Sequence, residues 1–113
     1  MTPTPEELQN KLAQLAGRYL DRVDKEIEQL RVMVDAAAGG DLNAVREIET
    51  LAHRMHGSGA MLQFHEISGH AGTLERMAAE FVSTGKIDSA RMVPVLGQLQ
   101  AAIDAARATR QQS

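Results

Sequence analysis

LNAVREIETLAHRMHGSGAML, residues 42–62, carries Val45, Ile48, Ala52, Met55, Gly59 and Leu62 at alternating steps of three and four. That spacing buries one side of an α-helix. His53 stands one step off the stripe, beside the core and not in it. Residues three, four and seven apart are neighbours on a helix surface, so Glu49, Thr50, His56, Gly57 and Ala60 are expected on the same exposed face as His53. A reactive ring presented in this way on a rigid rod suits a macromolecular partner better than a buried small substrate. Gly57, one turn past His53, sharpens the expectation: glycine inside a helix costs about 1 kcal/mol relative to alanine, so something has to approach closely there.

The same rhythm extends in both directions. Upstream, Leu8, Leu12, Leu15, Tyr19, Val23, Ile27, Leu30, Val34 and Ala37 form one long stripe, with Gly17 as the place where one helix could become two. Gly39-Gly40-Asp41 then supplies a stop and an N-cap, because glycine tolerates positive φ and the aspartate oxygen accepts from the next helix's first amides. Downstream, Phe64, Ile67, Ala71, Leu74, Ala78 and Phe81 mark a third helix ending at Ser83-Thr84-Gly85. Gly69 and Gly72 within it signal either close helix contact or local weakness. A fourth helix is expected from about Asp88 or Ser89 through Met92, Leu96, Leu99, Ile103 and Ala106. Its start should be irregular around residues 90–93 unless Pro94 falls in the first turn.

Four amphipathic segments on short connections hide their stripes by facing one another. The sequence therefore predicts an all-α fold, an up-down antiparallel four-helix bundle with or without an extra N-terminal helix. At 113 residues it is one domain: a disordered lead over 1–5, a single bundle over 6–110 and a frayed tail over 111–113. Aromatics are 3% of the chain against 43% apolar residues overall, so the core is aliphatic. A formal charge of −3 without a Lys/Arg cluster disfavours nucleic acid. Cysteine is absent, which removes thiolate metal sites and thiol nucleophiles. The N-terminus lacks a secretory pattern, and no apolar run of about 18 residues could span a bilayer, so a cytoplasmic protein without membrane attachment is expected.

Four histidines, His53, His56, His65 and His70, raise the question of metal. Carboxylate-bridged two-metal bundles place Glu three residues before His on two helices, and no Glu here has that spacing. A single zinc on His53, His56 and a third-helix residue stays open as an alternative; the expectation is no metal. His65 and His70 read as ordinary surface residues.

The stretch Ala52-His53-Arg54-Met55-His56-Gly57-Ser58-Gly59-Ala60-Met61-Leu62-Gln63, followed by Ile67 and Leu74-Glu75 and preceded by Tyr19-Leu20, Ile27, Leu30 and the Gly-Asp41-Leu42 turn, resembles the histidine-containing phosphotransfer (HPt) domain family from about Gly17 to Ala106. The family pattern is Ala-His-x-Leu-Lys-Gly-[Ser/Ala]. Two departures matter: His56 stands where the family has lysine, and Gln63 where the family has the glycine of a Leu-Gly pair that follows this pattern. The resemblance implies that His53 is the phosphorylated nucleophile and that Gly57 leaves room for the phosphoryl group and the docking partner. His56, and less directly Arg54, would stabilise or position the phosphate, while Glu49, Thr50, Arg54, Gly57 and Ala60 would meet the partner. Histidine as a residue type can change its charge within the physiological range where lysine keeps it, so phosphotransfer is expected to be more pH-sensitive with His56 than with lysine there.

The implied partners are response regulator receiver domains and a hybrid histidine kinase. The implied cofactor is none intrinsic, with Mg²⁺ supplied by the receiver. No nucleotide loop or kinase motif is present, so a monomeric phosphoryl carrier without kinase activity of its own is expected. A bundle that regulates a kinase or receiver without carrying phosphate is the alternative from another class of function.

Overall fold

The computed structural model describes residues 2–111, in the order α1 (Pro5–Ala38), α2 (Leu42–Met61), α3 (His65–Thr84), a 3₁₀ turn (Ser89–Arg91) and α4 (Met92–Gln111). Thr4 caps α1 by accepting from the Glu7 amide, and Pro5 takes a first-turn position where its missing N–H costs nothing. Pro5 is thus helical, and the non-helical lead ends at Thr4. Of the expected tail, Gln111 closes α4. Met1, Gln112 and Ser113 lie outside the described residues.

Gly17 does not divide α1, so there is no separate N-terminal helix. A Cβ at Gly17 would lie 3.0 Å from the Arg110 guanidinium, so the small residue lets α4 come near. At 1.5 Å per residue, 34 helical residues span about 51 Å against about 30 Å for each of the other three helices. The surplus overhangs the bundle. Leu8, Leu12 and Leu15, expected on the core stripe, are each 49% exposed, so the other helices leave this end of α1 about half uncovered. Its buried stripe begins at Tyr19.

The turns follow their local chemistry. Gly40 takes φ 93°, and Asp41 Oδ1 accepts from the amides of Asn43 at 3.0 Å and Ala44 at 3.2 Å. Gly85 ends α3 at φ 72°. Between α2 and α3 the left-handed position falls on Gln63, at φ 66°. Pro94 sits in the first turn of α4, preceded by the 3₁₀ turn. It therefore starts the helix and does not kink it.

Each helix packs on its chain neighbours, and α1 closes the ring against α4. Val23, Ile27 and Leu30 of α1 meet Val45, Ile48 and Met55 of α2, Ile67, Leu74 and Phe81 of α3, and Met92, Leu99 and Ile103 of α4 in one fully buried core. Tyr19 fastens α1 to the turn of α2 that follows His53. Its hydroxyl donates to the Met55 carbonyl at 2.8 Å, and its ring stacks on Phe64. Burial pushes the phenol pKa up to about 12; Arg22 beside it opposes the shift and Glu26 adds to it. Gly59 makes room for this contact, since a Cβ there would sit 2.7 Å from the hydroxyl.

Candidate functional site

The short Leu62–Phe64 connection turns α3 back along α2, which sets position 53 opposite position 75. His53 is on the surface, its side chain 70% exposed, and its Nδ1 lies 2.7 Å from Glu75 Oε2. A carboxylate only accepts, so Nδ1 carries the proton and donates. In the neutral ring the lone pair is then on Nε2. The carboxylate also offsets any positive charge that the ring acquires, while the helix fixes where the ring stands.

His56 is not on the open face with His53. It is half-buried between α2 and α3, where its Nδ1 donates to the Ser68 carbonyl at 2.8 Å and lies 3.0 Å from Ser68 Oγ. The Ser68 hydroxyl donates in turn to the His56 carbonyl at 2.9 Å. Gly72 makes this possible: a Cβ there would be 3.0 Å from His56 Nδ1. Close contact is therefore the reason for glycine at 72, whereas a Cβ at Gly69 would meet nothing within 4 Å.

Arg54 turns the other way. Its guanidinium lies 3.6 Å from Glu26 of α1, an acid that is 7% exposed and also lies 3.4 Å from Arg22. Glu49 is half-buried, while Thr50, Gly57 and Ala60 are exposed as expected. The Thr50 hydroxyl is bonded to the Arg46 carbonyl. A Cβ on Gly57 would touch nothing within 4 Å, so no contact inside the molecule explains a glycine there. His65 opens α3, and neither it nor His70 joins the His53–Glu75 pair. Among the described residues, no three His, Cys, Asp or Glu side chains gather as a metal ion would need. Among the described residues no helix is long and apolar enough to cross a membrane.

Glu75 is the residue that sequence reasoning left out of the site. Leu74-Glu75 contributes to the family resemblance, but only the antiparallel register of α2 and α3 shows that position 75 reaches His53. A carboxylate aligned with the histidine across the short turn was the available signal.

The Hpt domain family model matches residues 14–109. No curated protein and no solved structure matches the chain. Hpt domains serve histidine phosphotransfer in phosphorelays as phosphocarrier modules, and their partners are receiver domains and response regulators. The match spans the four packed helices together with the His53 segment, and the chain belongs to the Hpt domain family.

Proposed function

We propose that His53 is the phosphoryl carrier of this domain, accepting the group from an aspartyl phosphate on one receiver domain and passing it to a response regulator. The observation that supports this most is the exposed ring whose Nδ1–H is held by Glu75, leaving Nε2 as the nucleophile. In the forward step the Nε2 lone pair attacks phosphorus. The N–P bond forms as the P–O bond to the aspartyl group breaks, and that group leaves as a carboxylate. Nε2 has no proton to shed. The positive charge that develops on the ring is met by Glu75, as a buried aspartate meets an imidazolium in hydrolase triads. The Mg²⁺ and the acceptor aspartate would belong to the receiver, and this chain contributes a positioned nucleophile. With Nδ1–H donated to the Ser68 carbonyl, His56 Nε2 can donate to the phosphoryl group only when the ring carries a second proton. Gly57 and Ala60, with Thr50 and Glu49 at the edge, form the docking face, suited to a transient interface.

The test is to incubate the protein with a receiver domain charged by acetyl phosphate and to map acid-labile, alkali-stable phosphate on the chain. Label on His53 that vanishes in a folded His53→Gln variant is the expected result. Binding to the receiver without any label, unchanged in His53→Gln, would instead establish a pure interaction module. Zinc in the purified protein with a zinc-dependent melting temperature would establish the metal-binding alternative.

A further inference from the structure

A phosphoryl group on His53 Nε2 carries up to two negative charges beside the carboxylate of Glu75, and an opposing cation is needed. The two cations that the sequence offers do not supply a permanent one. Arg54 is drawn to Glu26 on α1, and His56 is an imidazole with one nitrogen committed to Ser68. Arg76 is next to Glu75 on α3. Its side chain runs back over Gly72, where its Nη1 would lie 3.5 Å from a Cβ and the His56 ring 3.0 Å from the same point, so guanidinium and imidazole cover one bare Cα.

Arg76 is also uncommitted. Its bonded partner is the Thr73 hydroxyl at 3.2 Å. Glu80, the acid one turn on that would ordinarily attract it, lies 3.6 Å from Arg91. Glu75 is engaged with His53. Among the described residues no carboxylate forms an ion pair with Arg76, whereas Arg22, Arg31, Arg54, Arg91 and Arg107 each have one.

We propose that Arg76 is the fixed cation of this site, a phosphoryl-positioning residue reaching the group on His53 from α3. The proposal rests on His53 being the carrier. Glu75 is the charged group in contact with His53; His56 and Glu49 lie one turn to either side of His53 on α2, Arg76 follows Glu75 on α3, and Arg54 is turned toward α1.

The intact protein, phosphorylated with potassium phosphoramidate, gives a phosphohistidine ³¹P resonance assignable to His53 by its loss in His53→Gln. Arg76→Gln should raise the midpoint of that phosphoryl group's ionisation, with a twofold to fivefold change in acid dissociation constant, about the range of an exposed ion pair. Arg76→Lys should restore most of the shift. Arg46→Gln, which removes the same charge elsewhere on α2, should leave the midpoint alone. A titration in Arg76→Gln that overlays the wild type, or an equal displacement by Arg46→Gln, overturns the role of Arg76 while leaving the carrier intact. Failure of the wild type to form any phosphohistidine at position 53 overturns the carrier and this inference together.

Discussion

Gly57 and Gly59 lie two residues apart in α2, and replacing each by alanine should move stability in opposite directions. Both variants gain the same helix propensity, about 1 kcal/mol. At Gly57 nothing lies within 4 Å of the new methyl and the backbone is helical, so the whole gain should appear, as a rise in Tm of about 4 °C for a domain of this size. At Gly59 the methyl would sit 2.7 Å from the Tyr19 hydroxyl and 3.3 Å from Ser68 Cβ. Accommodating it displaces Tyr19, loses its bond to Met55 and strains the α1–α2–α3 junction. Overpacking costs about 1–3 kcal/mol and the hydrogen bond about 1 kcal/mol, so a net loss of about 1–3 kcal/mol remains. Urea unfolding followed by circular dichroism measures both.

The functional half of the experiment separates docking from chemistry. Gly57→Ala should accept phosphate from phosphoramidate as the wild type does, yet receive it from a charged receiver domain about tenfold more slowly, because a methyl in a closely packed contact costs on the order of 1 kcal/mol or more. Gly57→Leu should be slower still. Loss of stability in Gly57→Ala would refute the claim that the glycine has no role inside the molecule. Undiminished transfer in both variants would place the docking face elsewhere.

Three further outcomes are expected. Glu75→Ala should slow transfer to His53 about tenfold, with Glu75→Gln between it and the wild type because the amide oxygen still accepts from Nδ1–H but brings no charge; the exposure of His53 keeps the effect modest. Stopped-flow transfer assays would show it, and equal rates in all three proteins would remove Glu75 from the mechanism. Tyr19→Phe should cost about 1 kcal/mol at neutral pH. Burial raises the folded phenol's pKa from 10 to about 12, so the stabilisation is fully present below pH 10 and is lost as pH rises toward 12; because a rise of that size outweighs about 1 kcal/mol, denaturation at several alkaline pH values should show the wild type's advantage closing and then reversing. Gln63→Gly should raise stability by about 0.5–1 kcal/mol, since φ 66° strains a side-chain-bearing residue but not glycine. A lower urea midpoint would refute that account of the turn.

The bundle was legible because its determinants are local. Stripe spacing, the Gly39–Asp41 turn and the position of Pro94 each act within a few residues, and each gave an element where expected. Leu8, Leu12 and Leu15 show the limit: spacing specifies which face is apolar, but whether a neighbour covers it depends on how far the other helices reach. The site divides in the same way. His53 and Gly57 were visible because exposure follows from position relative to the stripe on a single helix. Glu75 and the true setting of His56 were not, because both depend on which residues of α3 come opposite α2 once the Leu62–Phe64 turn has set the register. Helical periodicity also assigned His56 wholly to the open face, whereas Ser68 and the bare Cα of Gly72 draw it inward.

If His53 is the carrier, it must give up what it accepts and so needs weak interactions of opposing sign, which Glu75 and Arg76 would supply. On that reading Glu75 would favour the phosphorylated ring by offsetting its charge yet repel the phosphoryl dianion, and the guanidinium of Arg76 would oppose that repulsion. Because the ring is 70% exposed, each effect is screened to about 1 kcal/mol or less. Their sum leaves the equilibrium between phosphorylated and free histidine within reach of either partner. Burying the same residues would strengthen every interaction and trap the group. In the proposed mechanism exposure would keep transfer reversible while the rigid helix keeps the nucleophile aimed.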